Sequence, residues 1–452
     1  MSSVTTDKPR KNIWSWLPSL YVAEALPYVA VNTLTVYLYT QMKISMTEMA
    51  FYTGWLYLPW VIKPIWSPFV DIYKTKRTWV LSMQLLMGIC FALVTMVLPT
   101  PFYFAVSLFL FWMIAFFSAT HDIAADGYYM LQLSQHDQAA YVGVRSTFYR
   151  IGSLLASGGL VWVAGRIQEN GLADGTQPSQ SQILTSWMWI FGILAAFFIL
   201  LALFNYKYLP KPSDDVKKSE KTFKSLLDDF CATIVTFFKK RYIGSALLFM
   251  LLYRLPEALC IKLVTPFLLD SRANGGLAMT ASQVGIANGG SGVIALLLGG
   301  ILGGIVISKG GLKRWLWPMA LSLTLPCVLY CFLAMLQPQL DYAGLTMINV
   351  AIFIEQFGYG FGFTAFMMYL MYFAEGEWKT AHYAFCTAFM ALGMMLPGMA
   401  AGWIYDSLQS VNIFNLEGNQ GYVNFFWLVI IASIFTFVAC VNVKIDPQQD
   451  KH

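Results

Sequence analysis

Two aspartates four residues apart, Asp122 and Asp126, stand in the stretch Ser118-Ala-Thr-His-Asp-Ile-Ala-Ala-Asp-Gly-Tyr-Tyr129. A helix puts both carboxylates on one face. The stretch closes an apolar run that begins near Phe102, so this helix is expected to lie in a membrane. An Asp near the centre of a bilayer costs about 2.5–3.5 kcal/mol on the insertion scale. A chain carries that cost where counter-charges or water are at hand. The chemistry such a group offers is uptake and release of a proton.

Other charged or polar residues interrupt apolar runs in the same way. Glu24 falls about mid-depth in the first run, with Pro27 on the next turn, where it frees a carbonyl. Arg145 and Arg150 follow the aspartates on the next run, and depth counting sets Arg150 level with Asp122 and Arg145 level with Asp126. These pairs are expected to meet. Arg254, Glu257 and Lys262 share one run; the first two are three apart and can pair on a helix face, while Lys262 is expected to snorkel. Glu355 and Gln356 sit among Gly358, Gly360 and Gly362. Glu24, Asp122, Asp126, Glu257 and Glu355 are the candidates for proton coupling. Arg145, Arg150, Arg254, Gln356, Tyr21, Tyr28 and Tyr149 are the candidates for substrate binding. A guanidinium recognises a carboxylate bidentately, and a tyrosine offers a sugar both a ring face and a hydroxyl. The competing reading of every one of these is structural, as a fixed ion pair or simple packing.

The elements that must position them are membrane helices. The 452 residues are 58% hydrophobic and 12% charged, against about 25% charged in a globular average. Apolar stretches of helix-spanning length recur throughout, which fits an all-α polytopic protein and excludes a β-barrel. Twelve spans are expected near 14–40, 47–73, 78–98, 102–130, 138–167, 184–208, 241–269, 280–308, 314–336, 341–374, 380–407 and 421–443. Lys and Arg cluster in alternate loops: Lys8 to Lys11, Lys74 to Arg77, Lys207 to Arg241, Lys309 to Arg314, Lys379, Lys444 and Lys451. Only Lys43, Arg166 and Arg272 fall on the other side. The positive-inside rule then places both termini in the cytoplasm. Nucleic-acid binding is a poor reading of these basic loops. Seven scattered cysteines and four unclustered histidines offer no metal site, and no cofactor is expected.

The connection 209–240 divides the chain into bundles of six helices, 1–208 and 241–452. Phe223, Leu226, Leu227, Phe230, Ile234, Phe237 and Phe238 recur in it at helical spacing, as in an amphipathic helix on the membrane surface. The halves repeat weakly. Tyr21 to Pro27 matches Tyr253 to Pro256, Asp71 matches Ser308, and Gly152 matches Gly393, at offsets of 232, 237 and 241 residues. A parallel repeat of two six-helix halves is the plan of a major facilitator. Asp71, Lys76, Arg77, Lys313 and Arg314 lie at its inner helix ends, where charge pairs can latch the halves.

The motif Ser67-x-x-x-Asp71 with Lys76-Arg77 resembles the loop motif of the major facilitator superfamily, with Ser for Gly. Lys63-Pro-Ile-Trp-Ser-Pro68, Ala119-Thr-His-Asp122 through Asp126, and Tyr149-Arg150-Ile-Gly152 resemble AmpG-type permeases, a family similar to the acetyl-CoA transporters. Asp270-Ser-Arg-Ala-Asn-Gly-Gly276 resembles related transporters of glycan-degrading loci in Bacteroidetes-type bacteria. The resemblance implies proton-driven import of an amino-sugar-containing solute, a muropeptide or small oligosaccharide, across a bacterial inner membrane by alternating access. It implies a monomer in contact with lipid and no enzymatic activity. Two alternatives stand beside it. An acylated cofactor such as acetyl-CoA would want a basic cavity, and here the bases are matched by acids. An intramembrane aspartyl enzyme needs its two acids on facing helices, and Asp122 and Asp126 share one.

Overall fold

The computed structural model describes residues 13–133, 135–172, 178–211, 223–376, 378–411 and 420–445. Among them there are helices and no strands. Twelve helical spans cross in alternation: 17–41, 46–72, 76–97, 103–132, 135–169, 180–208, 243–269, 281–310, 312–336, 342–374, 379–408 and 421–442. These lie within four residues of the expected bounds. Eight spans are apolar and long enough to cross a membrane by composition alone. The other four are the first, second, fifth and seventh, which carry Glu24, Lys63, the pair Arg145 and Arg150, and the group Arg254, Glu257 and Lys262. The second and seventh are also interrupted, between Trp55 and Leu58 and between Leu252 and Leu255.

Several of these spans are irregular. The first contains a π-turn at Ala30–Leu34 just beyond Pro27, the fifth one at Leu155–Leu160 and the eighth one at Ala287–Gly292. The seventh breaks between Ile243–Leu252 and Leu255–Leu269, with Pro256 restarting it. π-turns are rare and gather at working sites because they free carbonyls and re-aim side chains.

The two halves are built alike. Gly152 of the fifth span packs on Val22 and Ala25 of the first, and Gly393 of the eleventh packs on Met250 and Leu251 of the seventh. Buried Phe91, Phe111 and Phe191 centre the first half; Phe249, Phe366 and Tyr369 centre the second. A polar ladder also runs through the first half. Ser19 donates to Asn205 (3.0 Å), Asn205 to Gln84 (3.1 Å), and the Gln84 amide meets His121 Nε2 at 3.1 Å. Buried polar groups are held to such partners, so the ladder fixes the rotation of the fourth span.

The helix Phe223–Phe238 bridges the halves. Its distal end does not rest on lipid as expected: Phe237 is fully buried against Phe373, Phe385 and Phe389, and Thr236 meets His382 at 3.1 Å. Lys240 then donates to the carbonyls of Phe373 (2.7 Å) and Glu375 (2.6 Å), closing the tenth span's last turn. Burial pushes the Lys240 ammonium below the usual lysine range. The face carrying this helix is called the linker face below, and its opposite the distal face.

Candidate functional site: a charged cavity between the halves

A cavity of about 770 Å³ lies between the halves. Its walls include Glu24, Tyr28, Asp122, Arg145, Tyr149, Arg150, Arg254, Glu257, Glu355 and Gln356. Ten residues expected from sequence therefore converge on one opening, from the first, fourth, fifth, seventh and tenth spans.

The partners differ from those expected. Asp122 does not meet Arg150. The ladder turns it toward the second span, where Trp60 Nε1 donates to Oδ2 at 3.1 Å and Lys63 Nζ stands 3.9 Å away. Its Oδ1 is buried with no hydrogen bond. Arg150 instead reaches across the cavity to the eighth span, where a Cβ added to Gly300 would lie 3.6 Å from both terminal guanidinium nitrogens. Asp126 does pair with Arg145, at 2.6 Å, and lies beside the cavity rather than in its wall. Tyr21 is also outside the cavity. It is fully buried, and its ring supports the Arg145 guanidinium at 4.6 Å, with Tyr129 alongside at 5.7 Å. Glu24 faces the opening within charge range of Asp126, Asp122, Arg145 and Lys63, and its buried Oε2 has no hydrogen bond.

In the second half Arg254 grips Glu257 through two bonds, Nε to Oε2 at 2.8 Å and Nη2 to Oε1 at 2.5 Å. The guanidinium also reaches Tyr359 (3.3 Å) and lies 4.7 Å from the Phe363 ring centre. Glu355 accepts from Tyr330 (3.1 Å) and Gln356 (2.8 Å). Lys262 does not snorkel: it is 2% exposed, and its ammonium donates to Thr53 of the second span at 3.1 Å.

One end of the cavity is shut. At the distal face the helix starts of one half press on the helix ends of the other. A Cβ on Gly158 would fall 2.2 Å from Gly289 Cα, and one on Gly165 would fall 2.0 Å from Ser282 N. The mirror contacts are Gly54 on Met399 and Gly402 on Met46, the latter with a Cβ 2.0 Å from a carbonyl oxygen. Two acids reinforce this seam. Asp406 accepts from Thr47 N (3.2 Å) and Oγ1 (2.5 Å), and Glu169 accepts from the Ser282 hydroxyl. Thr47 and Ser282 each hold the second position of their helices, where an anion is favoured. The two latches are one device repeated: the acids stand 237 residues apart, the hydroxyls 235. Toward the linker face solvent enters, and the side chains of Lys63, Arg145 and Asp126 are 27%, 30% and 39% exposed.

Arg77 binds the carbonyls of Leu209 (3.1 Å) and Tyr206 (2.5 Å) in its own half, Lys76 lies against Gly127, and Lys313 and Arg314 are exposed. The side chain of Asp71 lies outside the described residues. Among those residues no cluster of His, Cys, Asp and Glu gathers as metal ligands would. Sequence reasoning missed Trp60, Lys63, Thr53 and both seam acids. Lys63 alone carried a signal, as a charge inside an apolar span.

The comparisons fit this architecture. The chain is 25% identical over 354 residues to the anhydromuropeptide permease of Escherichia coli K12, covering 77% of this chain and 65% of that protein's length. It is 23% identical over 446 residues to a Rickettsia conorii protein that carries the transporter name AmpG 4, covering 94% and 96%. Its fold matches a bacterial homologue of the lysosomal transporter Spinster in an inward-facing conformation (TM-score 0.70, 15% identity, 97% and 99% coverage). It also matches a D-xylose–proton symporter (TM-score 0.68, 12% identity, 97% and 98% coverage). The Major Facilitator Superfamily profile matches residues 12–380. The chain spans about two thirds of the length of that Escherichia coli relative, and it belongs to the Major Facilitator Superfamily.

Proposed function

We propose that the protein is a proton-coupled symporter that imports an amino-sugar-containing solute of the muropeptide type across a bacterial inner membrane. The linker face and both termini lie in the cytoplasm in this reading, following the loop charges. The observation that carries it is the cavity between the halves, closed distally and more exposed toward the linker face, in which acids, bases and tyrosines converge from both halves. Its size falls within the usual range of about 300–1,000 Å³ for small-molecule sites. Bases and acids are largely matched in its walls, which suits a sugar with a few charges better than the polyphosphate of an acylated cofactor.

Asp122 is the coupling acid in this reading. It has one hydrogen bond, a cation at the edge of ion-pair distance, and one oxygen free to carry a proton. Glu24 shares its field from the first span. Asp126, Glu257 and Glu355 are engaged by partners and hold the cavity in shape. The test uses sealed vesicles with an imposed proton gradient. Asp122→Asn is expected to abolish uphill uptake while exchange of labelled cargo continues. Uphill accumulation at the wild-type rate in that variant would refute the assignment. For the cargo, an anhydromuropeptide is expected to raise the melting temperature of the purified protein; stabilisation by neutral disaccharides alone would remove the muropeptide reading.

A further inference from the structure

Four of the bases on the cavity wall point to where cargo charge must sit, because three of them already have an acid. Lys63 faces Asp122, Arg145 faces Asp126, and Arg254 is held by Glu257. Among the described residues Lys262 has none. It makes no ion pair with them, and its hydrogen bond goes to the Thr53 hydroxyl, which itself donates to the Met49 carbonyl. An ammonium has three donors. The second is partly answered by the Tyr57 ring, 5.3 Å from Nζ. The lysine is 2% exposed yet forms part of the cavity wall. Gly398 opens the slot its stem passes through, where a Cβ would lie 3.3 Å from Lys262 Cε.

A buried lysine without a counter-ion keeps its proton at little cost only when something supplies the anion. Resting on the import reading above, we infer that Lys262 is the distal anchor for a carboxylate of the cargo. Among the described residues Arg150 is the other base in the wall that makes no ion pair, and it lies against Gly300. Lys262 stands eight residues beyond Arg254 on its span, about 12 Å further toward the distal face. The cavity thus offers one such base near mid-depth, Arg150, and one toward the distal face, Lys262, with the matched pairs beside and below them. The fitting cargo is a sugar that carries carboxylates, as a peptide-bearing amino sugar or a uronic acid does. A neutral oligosaccharide leaves Lys262 bare.

The test measures binding of two ligand pairs to the purified full-length protein. One pair is an anhydro-disaccharide tripeptide and its carboxyl-amidated form; the other is a uronic-acid disaccharide and its neutral parent. Wild type is expected to prefer the acid member of at least one pair by tenfold or more. Lys262→Met is expected to bring that ratio to near one while binding the neutral member within twofold of wild type. Its ligand-free melting temperature is expected to equal or exceed the wild-type value, since a buried charge has been removed. Equal loss of both members in Lys262→Met, an unchanged ratio, a wild-type preference for neutral members, or failure of every ligand to bind would each overturn the inference. Binding of the uronic pair without the peptide pair would sink the muropeptide reading and leave the lysine's role standing.

Discussion

Adding a methyl group at two glycines should hold the distal seam open. A Cβ at Gly165 would lie 2.0 Å from Ser282 N and 2.6 Å from its Cα; at Gly402 it would lie 2.0 Å from Met46 O and 2.5 Å from its carbonyl carbon. All four are backbone atoms, so no side chain can swing aside. Contact needs roughly 3.5 Å, and the helices must part by more than an ångström. Overpacking of this kind costs about 1–3 kcal/mol per site. The two glycines touch different helices and share no partner, so the costs add to about 2–6 kcal/mol. At tenfold per 1.4 kcal/mol the closed-to-open ratio falls by about 30-fold to 10⁴-fold. The assay places a cysteine at Thr33, which lines the cavity, and labels it with a membrane-impermeant maleimide from the distal side. Exposed Cys231 on the bridging helix reports any reagent reaching the other face. The double variant Gly165→Ala, Gly402→Ala is expected to label faster by at least the lower figure. Gly88→Ala, which presses on Ile199 and the Ala195 carbonyl inside the first half, is expected to leave the rate alone. Wild-type labelling in the double variant, or equal acceleration by Gly88→Ala, would show that these glycines do not govern closure.

Three further outcomes follow from the same geometry. Asp406→Asn with Glu169→Gln keeps the shape of both latches and removes their charge; with each worth about 1 kcal/mol at a partly exposed site, Thr33→Cys labelling is expected to rise about 5-fold per latch, and no rise would refute the latch. Arg145→Lys keeps the ion pair with Asp126 but gives up a planar guanidinium stacked on Tyr21; a loss of about 1 kcal/mol is expected as a lower melting temperature, which Arg145→Met should exceed by leaving Asp126 unpaired. Lys240→Met removes two donors from the end of the tenth span, and faster hydrogen exchange in Phe223–Phe238 is expected, with the distal seam unchanged.

Height in the membrane was legible in the sequence, and rotation was not. Twelve apolar runs and the charges within them gave the depth of Glu24, Asp122, Arg150 and Glu355, and these do reach one cavity. Depth alone also suggested that Asp122 and Arg150 meet. Which way Asp122 turns depends on His121, Gln84 and Asn205, three residues on three spans whose contact no local pattern announces. Tyr21 looked like a wall residue for the same reason, and the face it presents is decided by Arg145 lying across it. Lys262 looked like a snorkelling lysine because it stands near a helix end; the break before Leu255 and the slot at Gly398 turn it inward. The seam was hidden most deeply, since Gly158 with Gly289 and Asp406 with Thr47 are contacts between distant parts of the chain.

The distribution of these contacts bears on how the halves can move at all. Among the described residues, the cavity's close ion pairs stay within one half: Arg145 with Asp126, Lys63 with Asp122, Arg254 with Glu257. Among the described residues, the polar contacts that cross between halves use a hydroxyl, joined at Thr47 by its backbone N–H: Lys262 to Thr53, Asn288 to Tyr37 (2.8 Å), Thr47 to Asp406, Ser282 to Glu169. Separating a buried ion pair costs about 3–5 kcal/mol because each charge is left uncompensated, whereas a hydroxyl bond contributes about 0.5–1.5 kcal/mol net, rising to about 1.5–3 when its partner is charged. Water entering the opened seam replaces such bonds, and no described ion pair has to break for the halves to rock. A transporter must cross between its two states on each cycle, so partners strong enough to fix the cavity belong inside a half, and weaker ones belong across the seam. Converting a crossing contact into an ion pair, as Thr53→Asp would do opposite Lys262, is therefore expected to hold the distal side shut: Thr33→Cys should become slower to label and uptake should fall, while the melting temperature rises. Faster uptake in that variant would contradict the argument.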